Sequence, residues 1–337
     1  MGNVMKKTIL SVAAVLAIGA GSASAADLPA KVYKKAPPVV AFDPWDVAFG
    51  SAIMSDYVFR GITQSNHKAS VAAYFEPRYN VTKDLQLYIG VSGESISFPN
   101  RAAAEIDIYG GIRPTVGMFA FDFGVWGYLY PGGQCFNTQA LCGKDLSFGV
   151  GLPINGNFAK KDASFYEGYA KVNVTLNDQW QVGANEYYSP NFLNLGAWGD
   201  YASVTAKWTA PSTTFGSSGV GMYISGEFGR QWLGKSDAFY GTGIPGQIFQ
   251  FGIPEPSYNT WNVGVGFTYK VFTLDLRYSD TNLSKGNCNA FTSDYTATKS
   301  TLASTSLINP GGFESGWCGA TGIAKLSADL TAMTNLK

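Results

Sequence analysis

Apolar and polar residues alternate with a period of two along most of the chain. Trp45, Val47 and Phe49 alternate with Asp46, Ala48 and Gly50, and Val71, Ala73 and Phe75 with Ser70, Ala72, Tyr74 and Glu76. Leu85, Leu87, Ile89 and Val91 alternate with Gln86, Tyr88, Gly90 and Ser92. The same holds for Phe119, Phe121, Phe123 and Val125, and for Phe272, Leu274, Leu276 and Tyr278. Such alternation predicts strands with one apolar and one polar face. Twelve segments follow it, starting near Trp45, Ala69, Leu85, Ala103, Phe119, Phe165, Trp180, Asp200, Val220, Tyr258, Val271 and Thr321. No segment reads as a helix once the apolar N-terminus is set aside.

The spacing between segments is uneven. Short turns at Thr82 to Asp84, Pro114 to Gly117, Asn177-Asp178, Pro211 to Gly219 and Lys270-Val271 alternate with long stretches such as Pro131 to Ser164, Leu233 to Ser257 and Asn282 to Ala320. Short turns at one end and long loops at the other are the pattern of an outer-membrane barrel. Lipid offers no hydrogen bonds, so a sheet that spans it must close on itself. The expected fold is therefore all-β, a transmembrane antiparallel β-barrel of about twelve strands with short periplasmic turns and long outer loops, covering residues 45–332. Trp45, Tyr79, Trp180, Trp208, Trp261 and Phe272 fall near strand ends, as interfacial aromatics do. Ala324, Leu326, Ala328 and Leu330 alternate with Lys325, Ser327 and Asp329 in the expected closing strand, although no aromatic follows Trp317. Barrels of this class commonly end on one for their assembly machinery.

Composition agrees. Hydrophobic residues make up 46% and charged residues only 14%, against roughly 25% charged in soluble domains. Lys6 and Lys7, the apolar run Thr8 to Ala20 and the small residues Ala23, Ser24 and Ala25 form a secretory signal, so residues 1–25 are expected to be removed. Residues 26–44, rich in proline and lysine, read as a flexible periplasmic leader. Removing residues 1–25 takes away two lysines and no acid, moving the formal net charge from 0 to −2. That balance gives no reason to expect nucleic acid. The expected surroundings are outer-membrane lipid, lipopolysaccharide and the barrel-assembly machinery.

Four cysteines, Cys135, Cys142, Cys288 and Cys318, are disulfide candidates in an exported chain. Pairing Cys135 with Cys142 and Cys288 with Cys318 keeps each bridge within one loop; the other two pairings tie loops together. With no CxxC and a single histidine, His67, no metal site and no cofactor are expected. His67 reads as a solvated loop residue, and Glu105 with Asp107 as polar lining rather than a catalytic pair. No catalytic residue is expected.

The polar parity assigns charges to the inner wall, because Arg or Lys on the lipid face costs ~2–4 kcal/mol at the midplane. Near the first hairpin these are Asp56, Arg60, Glu76 and Arg78, and on the next strands Glu94, Glu105, Asp107 and Asp122. Farther along come Glu167, Lys171, Lys207, Glu227, Asp275 and Arg277. In the stretch SDYVFRGITQSN at 55–66, Ser55 to Arg60 is read as wall, with Ser55, Tyr57 and Phe59 toward lipid and Arg60 paired across strands with Glu76, and Gly61 begins the exit to a loop holding Gln64, Ser65 and Asn66. Pro131 to Ser164 is the candidate constriction loop.

That stretch carries a family resemblance, together with LYIGVSGESISF at 87–98, AEIDIYGGIRPTVG at 104–117, FDFGVWGYLYPG at 121–132, NEYYSPNF at 185–192, YISGEFGRQ at 223–231 and YNTWNVGVGFTYKVFTLDLRYSDTNL at 258–283. In this order they span nearly the whole exported chain, which resembles the TorF family of porin-like proteins, the Gcw type of proteobacterial outer-membrane proteins. The resemblance implies a β-barrel and a pore. Two functions follow as expectations: passive diffusion of small hydrophilic solutes or ions through a narrow charged lumen, or a closed structural or adhesive barrel in which the charges pair and plug the path.

Overall fold

A computed structural model describes residues 44–135, 157–241 and 249–336. The expected signal and the leader up to residue 43 lie outside the described residues, as does Cys142.

Twelve strands close into an antiparallel barrel. In chain order they are β1 (Trp45–Met54), β4 (Ser70–Thr82), β5 (Leu85–Glu94), β6 (Glu105–Val116), β7 (Phe119–Leu129), β8 (Phe165–Thr175), β9 (Trp180–Ser189), β10 (Gly199–Thr209), β11 (Val220–Leu233), β12 (Tyr258–Tyr269), β13 (Phe272–Thr281) and β14 (Thr321–Thr331). Between β1 and β4 lie two short strands that pair only with each other, β2 (Val58–Phe59) and β3 (Ile62–Thr63). Each barrel strand pairs with its sequence neighbours, and β1 closes the ring against β14 with Phe49 opposite Leu330. Observed and expected strand starts differ by at most two residues. The closing strand forms from the alternation alone, with Leu326 exposed and Ser327 and Asp329 buried.

Burial follows the pleat. Ile89, Val125, Val204, Phe228 and Val263 are all more than half exposed, forming the apolar outer belt. Their strand neighbours turn inward. At the short-turn end Trp45 lies across from Tyr79, with ring centroids 4.8 Å apart, and Trp180 across from Trp208. These rings mark one lipid–water boundary.

Two features depart from an all-strand chain. Lys285–Thr292 forms a helix, α1, in the loop between β13 and β14; Ser284 caps it, its Oγ accepting from the Asn287 N–H at 3.2 Å. Ala332–Asn335 adds a single helical turn, α2, after β14. Cys288 of α1 is bonded to Cys318 just before β14, which excludes the pairings that join these two to Cys135 or Cys142.

Inside the long-loop end lies a second apolar region. Tyr128, Tyr130, Phe165, Phe192, Leu195, Tyr258, Phe291 and Trp317 pack there with Ile62 of β3. The interior is polar toward the short turns, and toward the loops it mixes this apolar cluster with buried charged groups such as Glu105, Asp107 and Glu167.

Candidate functional site in the lumen

The segment Ser55 to Asn66 leaves the wall. β1 ends at Met54, and the chain makes a two-residue hairpin turn at Arg60 and Gly61, with φ of 47° and 78°. Positive φ at both central positions is the twist that suits a tight hairpin. Arg60 carries the strain of a non-glycine residue in this region. A side chain on Gly61 would also meet Thr260 and Thr281 on the wall. The hairpin points into the lumen, and this corrects two expectations. Tyr57 and Phe59 do not face lipid: the Tyr57 hydroxyl donates to Glu105 Oε1 at 2.5 Å, and the Phe59 ring packs on Tyr128 with centroids 5.8 Å apart. Their parity matched the apolar face because apolar rings such as Tyr128 and Phe165 also pack inside the outer half of the lumen.

The second correction concerns Arg60. Its guanidinium does not pair with Glu76 on β4. It crosses the lumen to β8, where Nη1 donates to Glu167 Oε1 at 2.9 Å and Nη2 to Oε2 at 2.7 Å. Nη1 also donates to Gln231 Oε1 of β11 at 2.9 Å. The rings of Tyr201 and Phe59 flank the cation at 4.4 and 4.6 Å. Glu167 and Gln231 are fully buried. Such a fork, flanked by rings, is the geometry in which arginine holds best.

The hairpin is braced at its base. Asp56 Oδ1 accepts from Thr63 Oγ1 at 2.5 Å and Ser65 Oγ at 2.9 Å, and Oδ2 lies 2.7 Å from His67 Nδ1. Asp56 thus works within the hairpin rather than on the open wall. His67 is an exposed loop residue, as expected, and both ring nitrogens are also held: Nε2 meets the Gly316 carbonyl 2.9 Å away. That second nitrogen faces a backbone oxygen instead of a hydroxyl nucleophile. Backbone contacts then tie the hairpin to the last loop, with Ile62 bridging Cys318 and the Thr63 N–H donating to the Trp317 carbonyl at 2.9 Å.

The remaining predicted wall residues fall into four sets. Glu76 accepts from Arg78 Nε at 2.6 Å and Arg113 Nη1 at 2.8 Å, and Arg113 Nε reaches Asp122 at 3.2 Å. Arg277 forks onto Asp275 at 3.0 Å, with Asn262 and Ser225 beside it, and Lys207 lies over the Tyr223 ring at 4.5 Å. Glu227 accepts from Tyr201 at 3.0 Å, and Lys171 lies over the Tyr169 ring at 4.4 Å. Glu94, Glu105 and Asp107 gather at the outer ends of β5 and β6.

Sequence reasoning missed Arg113 and the inner tyrosines. Arg113 keeps the parity of Glu105, Asp107 and Tyr109 but sits beside Pro114, where a turn was expected. Tyr74, Tyr88, Tyr201 and Tyr223 each donate to a lumen carboxylate, Asp329, Asp122, Glu227 and Asp275 respectively, at 2.5–3.1 Å. The signal was their place in the polar half of the alternation. Glycines make room for them: a Cβ on Gly90 would fall inside the Tyr109 ring, and one on Gly266 inside the Tyr223 ring. Gly50, Gly124 and Gly229 lie under Tyr74, Tyr169 and Tyr201 in the same way, so part of the glycine content is room for flat rings over the backbone. Of the expected constriction loop, residues 136–156 lie outside the described residues; the described insert is the 55–66 hairpin.

Residues 40–159 match a family model described as a bacterial protein of unknown function (Gcw_chp). No curated protein matches the chain. Among solved structures, the chain is similar to an outer membrane channel from Pseudomonas putida F1 at 11% identity, covering 88% of this chain and 100% of that one with a TM-score of 0.43. It is also similar to the NanC porin at 6% identity, covering 84% and 97% with a TM-score of 0.39. LpxR from Salmonella typhimurium is similar at 10% identity, covering 84% and 99% with a TM-score of 0.37. No residue role is taken from these likenesses.

Proposed function

We propose that this barrel sits in the outer membrane and passes small hydrophilic solutes or ions through its narrow charged lumen, and that the conformation described is the closed one. The observation that carries this reading is the hairpin latch. The wall is lined along its length by acids, arginines and tyrosine hydroxyls, which suit a polar solute. The obstruction comes from one folded-in segment held at its tip by side-chain contacts from Arg60 to Glu167 and Gln231. The contacts that hold the hairpin across the lumen, Arg60 to Glu167 and Gln231 and Tyr57 to Glu105, are all made by side chains, so they can open while the strand ladder of the barrel stays paired. The partners in this reading are lipid and lipopolysaccharide on the apolar belt, the barrel-assembly machinery and the solute.

Conductance in planar bilayers tests it. The refolded wild-type barrel is expected to give small, infrequent current steps, and Arg60→Ala more frequent or larger ones. An absence of steps from both proteins at every salt concentration would sink the channel reading. It would leave the second one, a closed structural or adhesive barrel. The full burial of Glu167 and Gln231 beneath an aromatic core favours that alternative.

A further inference from the structure

Glu94 ends β5, and Glu105 and Asp107 begin β6. Glu94 lies directly across from Glu105, and Ser92 across from Asp107. All keep the inward parity, so three carboxylates meet on one patch of wall, each with an oxygen within 4.8 Å of the others. Glu105 and Asp107 are buried, at 2% and 4% exposure. None of the three takes part in a salt bridge among the described residues, in contrast to Glu76, Asp122, Glu167 and Asp275, which all face arginine.

Hydrogen bonding accounts for only part of the patch. Glu105 is satisfied on both oxygens, by Tyr57 at 2.5 Å and Tyr130 at 2.9 Å, and Asp107 Oδ2 accepts from Ser92 at 3.1 Å. Asp107 Oδ1 and Glu94 Oε2 are buried and have no hydrogen-bond partner. A buried acceptor without a donor is costly, and neighbouring like charges out of water cost more. Both costs vanish if a cation takes the place of the missing donors.

We infer that Glu94, Glu105 and Asp107 form a binding site for a calcium-sized divalent cation on the lumen wall. Carboxylate oxygens gathered within 4.8 Å of one another can share one ion. Three wall carboxylates with no imposed octahedral arrangement suit Ca²⁺, which tolerates irregular oxygen shells, better than Mg²⁺, which demands near-ideal octahedral geometry and keeps its waters. Hard carboxylate oxygens without histidine or thiolate select the same class of ion. Half-buried Glu94 gives the ion its path from the lumen. Tyr57 belongs to the inserted segment, so the cation would brace the carboxylate that this segment grips. This inference does not depend on whether the barrel conducts.

Terbium luminescence on the refolded full-length protein, in detergent with excess potassium chloride, tests the site. Tyr57 and Tyr130 touch Glu105 and can pass excitation to a bound Tb³⁺. Wild type is expected to give saturable sensitised emission that Ca²⁺ displaces more effectively than Mg²⁺. Asp107→Asn should weaken Tb³⁺ binding by about tenfold or more. Glu94→Gln, at a half-buried position that spares the fold, should weaken it in the same direction. If wild type shows no saturable emission, or if Glu94→Gln binds Tb³⁺ as wild type does, protons rather than a metal neutralise the patch and the inference is overturned.

Discussion

Arg60 and Glu167, 107 residues apart in sequence, meet as a two-pronged ion pair in the lumen, at 2.9 and 2.7 Å. Among the described residues neither group has another opposite charge in a salt bridge. Truncating one partner therefore strands the other in a buried site. Arg60→Ala should destabilise the barrel by about 3–5 kcal/mol. Replacing both groups with apolar side chains, Arg60→Met with Glu167→Leu, should recover most of that loss. Unfolding in detergent of wild type, Arg60→Met, Glu167→Leu and the double variant measures it; a double variant whose cost equals the sum of these two singles would show that the pair does not act as a unit.

Gly90 and Tyr109 make the tightest class of contact on the inner wall. Tyr109 cannot retreat, because its ring stacks on Trp126 at 4.0 Å. Gly90→Val should cost about 1–3 kcal/mol by overpacking. Gly168→Ala is the control: nothing lies within 4 Å of a Cβ there, and its cost should stay below about 1 kcal/mol. Thermal unfolding of both variants checks the contrast, and equal losses would mean that the ring has room to move.

The barrel was legible because lipid on one side and polar filling on the other impose a strict period of two, and the turns end it sharply. The same rule misled at Tyr57 and Phe59. Parity reports which residues are apolar, and in the outer half of this barrel apolar side chains also pack inside, against Tyr128 and Phe165. The signal that was there is Val58-Phe59-Arg60-Gly61-Ile62-Thr63, two strand-favouring pairs around a dipeptide ending in glycine, which is a hairpin pattern. Arg60's partner was not legible at all. A residue at the tip of an inserted hairpin can reach any strand of the barrel, and sequence adjacency favours the wrong one, β4.

The Cys288–Cys318 bridge closes a 30-residue span and ends at Cys318, the residue that bridges to Ile62. Replacing both cysteines with alanine should lower stability by about 3–4 kcal/mol through the greater freedom of the unfolded chain. It should also speed hydrogen exchange at Thr63, whose N–H donates to the Trp317 carbonyl. Exchange at Thr63 that stays unchanged would separate the bridge from the hairpin.

Glu255, in the loop between β11 and β12, gives that loop a pH dependence. It is 6% exposed, and its Oε2 has no hydrogen-bond partner. Burial pushes its carboxyl up to about 8, with Ser236 opposing part of the rise. A carboxyl raised in the folded state binds its proton more tightly than in the unfolded chain. The loop is therefore fully stable below the ordinary carboxylate range, near pH 4.5, and weakens progressively as pH rises to about 8. Across that window the change is on the order of 2–4 kcal/mol. Glu255→Gln keeps the neutral side chain at every pH and should remove the dependence. Proteolytic nicking of residues 249–257 should then rise with pH in wild type and stay flat in the variant; a wild-type loop whose cleavage does not change between pH 5 and pH 9 would show that water reaches Glu255 and keeps it charged without penalty.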